Sequence, residues 1–328
     1  MSGSDGRRVA FVTGAAGLLG GACTDRLTRE GWRVVALVRD RRPGAALPAG
    51  AVEVRGDFEQ AGRAIRQYRP SLVLHLGAQS QVGAGFLDPA ETFEANVRGT
   101  WLVLEACRSL PAGGRPEAVI VASSDKAYGP SDAAYTEATP LRPRGPYDTS
   151  KAAADLIARS YAASFGLPVV VTRCGNLYGP DDRNPDRLIP HVAARLARGL
   201  PPLLRGTGAM SREWLYVDDA AAAALLLADR ARELAGCAFN VGGGERATVK
   251  QIVERLVAVA AESAGTDGPD APAPPAPLYS AGEPDGEIQH QSLDSSALYG
   301  LGWKPRVGLD EGLRRTFDWY RSHPGVLA

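Results

Sequence analysis

The sequence predicts an α/β protein: a doubly wound parallel sheet followed by a smaller C-terminal α/β lobe. Three observations carry that expectation. Short apolar runs alternate with helical patterns through the first half of the chain. A glycine-spaced turn, Thr13-Gly14-Ala15-Ala16-Gly17-Leu18-Leu19-Gly20, joins the first run to the first helical pattern. The regularity weakens after about residue 176, where Pro180, Pro185, Pro190, Pro201 and Pro202 crowd the chain.

Taken in order, Val9–Val12 is a short strand that stops at Thr13-Gly14, and a helix follows from about Leu18 to Arg29, ending at Gly31. Arg33–Val38 and Val52–Val54 read as the second and third strands, Ala61–Tyr68 as a helix and Leu72–Leu76 as a buried strand. Pro89–Arg108 reads as one long helix because its apolar residues recur at three and four. Ala118–Ala122 is another buried strand, Tyr147–Phe165 a helix opened by Pro146, and Val169–Thr172 a sixth strand. Strands alternating with helices imply a parallel sheet covered on both faces. Later helices are expected near 186–198, 217–228, 247–262 and 310–322, and 264–277, rich in Pro, Ala, Gly and Asp, reads as a surface loop. The expected division is a dinucleotide-binding domain over 1–175 and a substrate lobe over 176–328, with segments near 215–245 returning to the sheet.

Composition narrows the function. The 328 residues balance 37 basic against 37 acidic side chains. A protein built to grip nucleic acid or an anionic membrane usually carries a basic excess, so neither partner is expected and any anion site is local. Cys23, Cys107, Cys174 and Cys237 lie far apart with no CxxC pair, which predicts reduced thiols in a cytoplasmic protein and no metal site. The polar start MSGSDGRR leads straight into a strand, so no signal peptide is expected. No apolar run approaches the ~20 residues a membrane span needs.

The glycine spacing has a mechanical reason. Gly14 makes the tight turn, Gly17 lets the backbone approach a pyrophosphate, and Gly20 lets the helix pack on the strand, as in a Rossmann-type NAD or NADP site. The helix N-terminus then offers free N–H groups to the phosphates. At the end of the second strand Asp40 suits a ribose 2′-hydroxyl, while Arg39, Arg41 or Arg42 suit a 2′-phosphate. Asp57, in Gly56-Asp57-Phe58, is a candidate for the adenine edge.

Tyr147-Asp148-Thr149-Ser150-Lys151 places a phenol and an ammonium four residues apart, on one helical face. The ammonium would favour phenolate over a phenol of ordinary pKa about 10. A phenolate near neutral pH can take the proton of a sugar hydroxyl while its carbon yields hydride. The motif lies about 25 residues beyond a buried strand ending in Ser123-Ser124, which makes it specific.

Together with GDF at 56–58, VLHLGAQ at 73–79, NVRGT at 96–100, SSDKAYG at 123–129, PYDTSK at 146–151, RCGNLYGP at 173–180, RLIP at 187–190, SREWLYVDD at 211–219 and LGW at 301–303, these motifs make the chain resemble the extended short-chain dehydrogenase/reductase superfamily. The resemblance covers nearly the whole chain and lies in the NAD-dependent epimerase/dehydratase branch. Asp125-Lys126, where common 4,6-dehydratases carry Asp-Glu, looks most like CDP-glucose 4,6-dehydratases and some UDP-N-acetylglucosamine dehydratases.

The resemblance implies a tightly bound NAD, or NADP, regenerated each turnover. It would be lined by Gly14, Gly17, Leu18, Leu19, Gly20, Arg39, Asp40, Asp57, Phe58, Leu76, Ala78, Asn96, Tyr147, Lys151 and Arg173. It implies a nucleotide-diphosphate sugar held by Gln79, Ser124, Asn176, Arg187, Leu188, Arg212 as the diphosphate arginine, and His290. Tyr147, Lys151 and Ser124 would oxidise C4. Asp125 would act as acid for the C6 hydroxyl and Lys126 as base at C5, which needs a neutral amine. The leading expectation is a nucleotide-sugar 4,6-dehydratase. The alternatives are a C4 epimerase and a non-catalytic dinucleotide sensor. A homodimer through helices near 89–108 and 147–165 is also implied. Tyr128 and Tyr178 suit packing as well as binding, and His75, in a buried strand, reads as a satisfied core histidine.

Overall fold

The computed structural model describes residues 6–39, 47–131, 133–266, 273–280 and 291–327. The first half runs β1 (Val9–Thr13), α1 (Leu18–Arg29), β2 (Arg33–Val38), β3 (Val52–Arg55), α2 (Phe58–Tyr68), β4 (Leu72–His75), α3 (Val82–Leu87), α4 (Pro89–Phe93), α5 (Gly99–Arg108), β5 (Ala118–Ser124), α6 (Pro146–Phe165) and β6 (Val169–Cys174). The second half runs β7 (Asn176–Tyr178), α7 (Leu188–Ala197), β8 (Leu203–Leu204), β9 (Ser211–Tyr216), α8 (Val217–Asp229), β10 (Ala238–Val241), β11 (Arg246–Thr248), α9 (Val249–Thr266), β12 (Leu278–Tyr279), α10 (Ser296–Gly300) and α11 (Leu309–Ser322).

The main sheet has the order β10-β6-β5-β4-β1-β2-β3. All its pairings are parallel. Side chains alternate between its two faces because successive strand residues point opposite ways. Ala10, Val12, Val34, Ala36, Leu72, Leu74, Ile120 and Val170 pack on one face with α1 and the alanine-rich α8. Phe11, Val35, Leu37, Val73, Val119, Val121, Val169 and Val171 pack on the other with α2, α5 and α6. Each buried Val, Leu, Ile or Phe among them contributes about 1.5–3 kcal/mol. The small side chains of α8 let it lie close against α1, and no described helix is long and apolar enough to cross a membrane.

A third core, with Val192, Trp214, Tyr216, Leu256, Leu313 and Phe317, joins α7, α9 and α11 around the three-stranded sheet β11-β9-β7. β10, after α8, adds to the edge of the main sheet beside β6.

Two elements depart from the sequence reading. The expected helix Pro89–Arg108 is interrupted by a wider, π-helical turn over Glu94–Arg98. Such turns concentrate at functional sites. Here the turn carries the buried Asn96, and beside it the Phe58 ring lies so close to Gly99 that a Cβ would come within 2.4 Å. The expected loop from 264 begins later, because α9 runs to Thr266; residues 267–272 lie outside the described residues.

Candidate functional site

Chain order reverses between β1 and β4: β2 and β3 lie on one side of β1, and β4, β5 and β6 on the other. The carboxyl edge at such a reversal is where doubly wound sheets bind ligands. Gly14, at φ +71°, turns the chain after β1 and abuts Gly77 after β4; a Cβ on Gly14 would lie 2.7 Å from the Gly77 Cα. Gly20 meets the turn from above, where a Cβ would lie 2.0 Å from the Gly14 carbonyl oxygen. Gly17 is less confined, its nearest neighbour being that same oxygen at 3.2 Å. Gly17 is also the N-cap of α1 and has no side chain to bond the first-turn amides. Leu18 and Leu19 open that helix. Leu76 and Ala78 flank Gly77.

A buried polar chain runs beneath this edge. The Gly77 N–H donates to Thr13 Oγ1 (3.0 Å), which lies 3.0 Å from His75 Nδ1, and His75 Nε2 lies 3.1 Å from Thr100 Oγ1. Thr100 donates to the Asn96 carbonyl (2.6 Å), so its oxygen must accept from His75 Nε2–H, and the imidazole is the neutral Nε2–H tautomer accepting from Thr13. Burial agrees, holding the His75 pKa down to about 3. Asn96 continues the chain: Nδ2 donates to the Gln79 carbonyl (2.9 Å) and Ser150 Oγ (2.8 Å), and Oδ1 accepts from Gln79 N–H (2.7 Å). Ser150 donates to the Tyr147 carbonyl (2.7 Å), so the glycine turn and α6 are held by one network.

At the end of β5, Ser124 caps a short turn, Asp125–Tyr128, by accepting from Lys126 N–H (3.2 Å), and donates to Asp125 Oδ1 (3.0 Å). Facing it, Gly145 and Pro146 start α6 and set Tyr147 in its first turn. Gly85 of α3 packs against the tyrosine's backbone, where a Cβ would press to 3.3 Å. The Tyr147 phenol lies close enough to the Ser124 hydroxyl for Ser124 to lower its pKa. Lys151, one turn on, is buried; its Nζ donates to the Ala122 carbonyl (2.9 Å), and its own carbonyl accepts from Ser123 (3.0 Å).

The electrostatics correct one expectation. Burial pushes the Tyr147 phenol well above its ordinary value, and the nearby Ser124 hydroxyl only partly offsets it. Lys151 is not what opposes that rise: burial lowers its own pKa to about 8, and its ammonium points to the Ala122 carbonyl. Lys126 Nζ donates to Gln291 Oε1 (2.9 Å).

On the lobe side, Arg212 lies buried in β9 against Ser211 O (3.1 Å). Arg187 is the N-cap residue of α7, with Leu188 opening the helix. It pairs with buried Asp182 (2.6 Å) and donates to the Leu177 carbonyl. Asn176 opens β7, its Nδ2 3.5 Å from Glu213 O. Gln79 sits on Asn96 and bonds Gln81 through its side chain (2.9 Å). Phe58 stands edge-on over His75, with centroids 5.3 Å apart. Asp57 caps α2 through Glu59 N–H (2.9 Å), and exposed Arg39 makes a surface pair with Glu91 (3.3 Å). Asp40 and His290 lie outside the described residues, as do Arg41 and Arg42.

Arg173 is a correction. It was expected on the cofactor, but its guanidinium is buried beneath the edge, bound to Asp155 at 2.7 and 3.1 Å and to Tyr128 Oη at 2.8 Å, and it stacks on the Tyr128 ring at 4.9 Å. A buried arginine needs such a partner, and Asp155 of α6 supplies it. Tyr128 and Tyr178 are packing residues bonded to Asn240 (2.7 Å) and the Leu309 carbonyl (3.3 Å). Cys23, Cys107 and Cys174 are unpaired and buried, with pKa values raised by burial.

Sequence reasoning missed Glu213. Buried in β9, it accepts from the Gly243 and Leu293 amides, the latter at 2.8 Å, and so pins two loops of the lobe beside Arg212. Its place inside SREW was the only local signal. A cavity of about 620 Å³ lies at the opposite, amino-terminal edge of the sheet, lined by Arg8, Trp32, Glu117 and Arg230 among others, and holds none of these residues.

Comparison with known proteins agrees with this geometry. The family model "NAD dependent epimerase/dehydratase family" matches residues 10–242. The chain is 32% identical to the dTDP-glucose 4,6-dehydratase of Neisseria gonorrhoeae over 97% of this chain and 96% of that protein. It is 34% identical to that of Streptomyces griseus over 95% and 94%. Among solved structures, the dTDP-glucose 4,6-dehydratase DesIV of Streptomyces venezuelae, with NAD bound, superposes with a TM-score of 0.82 at 31% identity, covering 97% of this chain and 98% of that one. The UDP-glucose 4-epimerase of Thermus thermophilus, in complex with NAD, also reaches 0.82, at 32% identity over 95% and 99%. Overall shape therefore does not separate the two activities. The chain belongs to the NAD-dependent epimerase/dehydratase family.

Proposed function

We propose that this protein is an NAD-dependent nucleotide-sugar 4,6-dehydratase, which oxidises a hexose at C4, removes water across C5–C6 and yields a 4-keto-6-deoxy sugar nucleotide. One observation carries the reading. Ser124, Asp125 and Lys126 occupy a single turn against Tyr147, in a chain similar over 95% or more of its length to dTDP-glucose 4,6-dehydratases.

The residues fit the cofactor. A Cβ would close the turn at Gly14 and Gly20, and the α1 amides behind Gly17 carry no side-chain cap. Gly14, Gly17, Leu18 and Leu19 would hold the pyrophosphate, Asp57 and Phe58 would lie towards the adenine, and Tyr147 and Lys151 would face the nicotinamide end. When bound, the cofactor would supply a hydride acceptor for C4 and a hydride donor for C6.

The protein's part is proton handling. Tyr147 Oη takes the C4 hydroxyl proton. Ser124 has one hydroxyl proton, held by Asp125 Oδ1 as it stands; turned onto Tyr147 Oη it stabilises the phenolate that burial disfavours. Lys126 Nζ takes the C5 proton once the C4 carbonyl has acidified it, and gives it back to C5 as hydride reaches C6. Asp125 delivers a proton to the C6 oxygen, which leaves as water. A diphosphate carries concentrated negative charge, and Arg212 and Arg187 are the cations placed to meet it. Asn176, Gln79 and Leu188 would line the sugar's side of the cleft.

Exposed Phe86, Leu87, Trp101 and Leu156, on α3, α5 and α6, support a homodimer formed through this face by a second copy of the chain. The test of the activity is incubation with dTDP-, CDP-, UDP- and GDP-glucose and mass measurement of the products. A dehydratase removes one water from at least one of them. Product of unchanged mass, its C4 hydroxyl inverted, would instead establish an epimerase.

A further inference from the structure

Lys126 is flanked by Asp125 in sequence, and its charge reaches Asp148 closely enough to pull that carboxyl's pKa down against the rise that burial imposes. Yet among the described residues it makes no ion pair with either. Its Nζ is held by an amide, Gln291 Oε1, at 2.9 Å, across 165 residues of sequence. Gln291 is 2% exposed and stands beside the β-bridge residue Leu293, which Glu213 pins. Its other amide atom, Nε2, is buried and has no partner among the described residues. A buried donor without a partner costs about 1–3 kcal/mol, so it is kept only where something repays that cost.

We infer that Gln291 is the positioning residue for Lys126: Oε1 fixes the lysine over the turn that follows Ser124, and Nε2 donates to an oxygen of the bound sugar. The inference rests on the dehydratase reading above and assigns a residue that sequence motifs do not reach. The choice of an amide has a physical reason. A carboxylate in this place would hold Lys126 as an ammonium, which cannot take a proton from carbon. An amide is neutral and serves both forms of the lysine. Oε1 accepts from an N–H of either the ammonium or the free amine, which leaves Nε2 on the sugar. Lys126 remains oriented while its proton comes and goes.

The experiment separates the two halves of the reaction. Wild-type enzyme is first offered the four nucleoside-diphosphate glucoses, and the one it dehydrates is used throughout. With Gln291→Met the lost sugar contact should raise KM, and at saturating substrate, used for every rate, the initial reduction of bound NAD should stay within about twofold of wild type. Release of the dehydrated product should fall about tenfold to a hundredfold, the scale of a misplaced catalytic group, and reduced cofactor should accumulate in the near-ultraviolet spectrum. Lys126→Met should show the same split, and the double variant should be no slower than Lys126→Met alone.

Wild-type turnover by Gln291→Met without accumulation, or a double variant slower than Lys126→Met, overturns the inference. If Gln291→Met loses both half-reactions, Gln291→Asn decides: loss of both again assigns Gln291 to the fold and overturns the inference, whereas retained reduction with slowed release supports it. If wild type removes water from none of the four and returns product of unchanged mass, the dehydratase reading falls and takes this inference with it. A water-losing wild type with an indifferent Gln291 defeats the inference alone.

Discussion

The two sides of the cleft are built by different means. On the cofactor side, function is carried by backbone: three glycines within seven residues, a helix end without a side-chain cap, and a buried chain of neutral hydrogen bonds from Gly77 through His75 and Asn96 to Ser150. On the proposed sugar side the candidates are charged and amide side chains from remote segments, among them Lys126, Arg187, Arg212 and Gln291. The neutral network is fully satisfied and rigid. The charged side keeps atoms with no hydrogen-bond partner among the described residues, Gln291 Nε2 and Asp148 Oδ1. A rigid cradle suits a cofactor that returns to its starting state each turnover, and unsatisfied groups suit a substrate that comes and goes.

Tyr147 stands where the two sides meet, and its removal should have the largest effect. Tyr147→Phe should lower turnover by about a thousandfold while leaving NAD affinity and melting temperature near wild type, as kinetics, calorimetry and thermal unfolding would record. A Phe variant with full turnover would show that Tyr147 does not take the C4 hydroxyl proton.

The glycines sharpen the contrast within the cradle. Gly20→Ala forces a Cβ to 2.0 Å from the Gly14 carbonyl and should cost about 1–3 kcal/mol of stability together with NAD binding. Gly17→Ala meets only an oxygen at 3.2 Å, so it should fold nearly normally yet bind NAD weakly. Equal loss of stability in both would show that the turn, and not access to the phosphates, sets the spacing.

Arg212→Ala tests the other side. It should raise KM for the nucleotide sugar by about tenfold, in line with one charge-assisted contact, with NAD affinity unchanged. An equal loss of NAD affinity would dissolve the distinction between the two sides.

A pH slope, small near neutrality, completes the set. His75 titrates at about 3 in the folded protein against an ordinary 6.5. Below 6.5 the unfolded chain binds a proton that the folded one refuses, so stability is intact above that pH and falls as pH drops towards 3, by about 1.4 kcal/mol per unit from this group. Denaturant unfolding across that range should show the slope, and His75→Gln, less stable at neutral pH, should lack it.

The same contrast explains what the sequence made legible. The strand–helix alternation and the glycine turn follow from local periodicity and spacing, because each is set within a few residues or by strand order, and the pairing of Tyr147 with Ser124 came from the family resemblance. Arg173 was misassigned because the position of a charge at a strand end looks alike whether it faces a ligand or a partner. Asp155, 18 residues earlier on α6, turns it inward, and only the folded helix shows that. Glu213 and Gln291 act through backbone amides and a lysine far away in sequence, with no period to betray them. The π turn at Glu94–Arg98 was invisible because hydrophobic spacing does not distinguish it from an ordinary helix.

The central claim is that oxidation at C4 serves elimination at C6. It is tested most directly with a nucleoside-diphosphate glucose carrying deuterium on C4, by locating the label in the product by NMR. The account predicts deuterium on the new C6 methyl of a 4-keto product. Deuterium found back on C4, in a sugar that has kept its C6 hydroxyl, would contradict it.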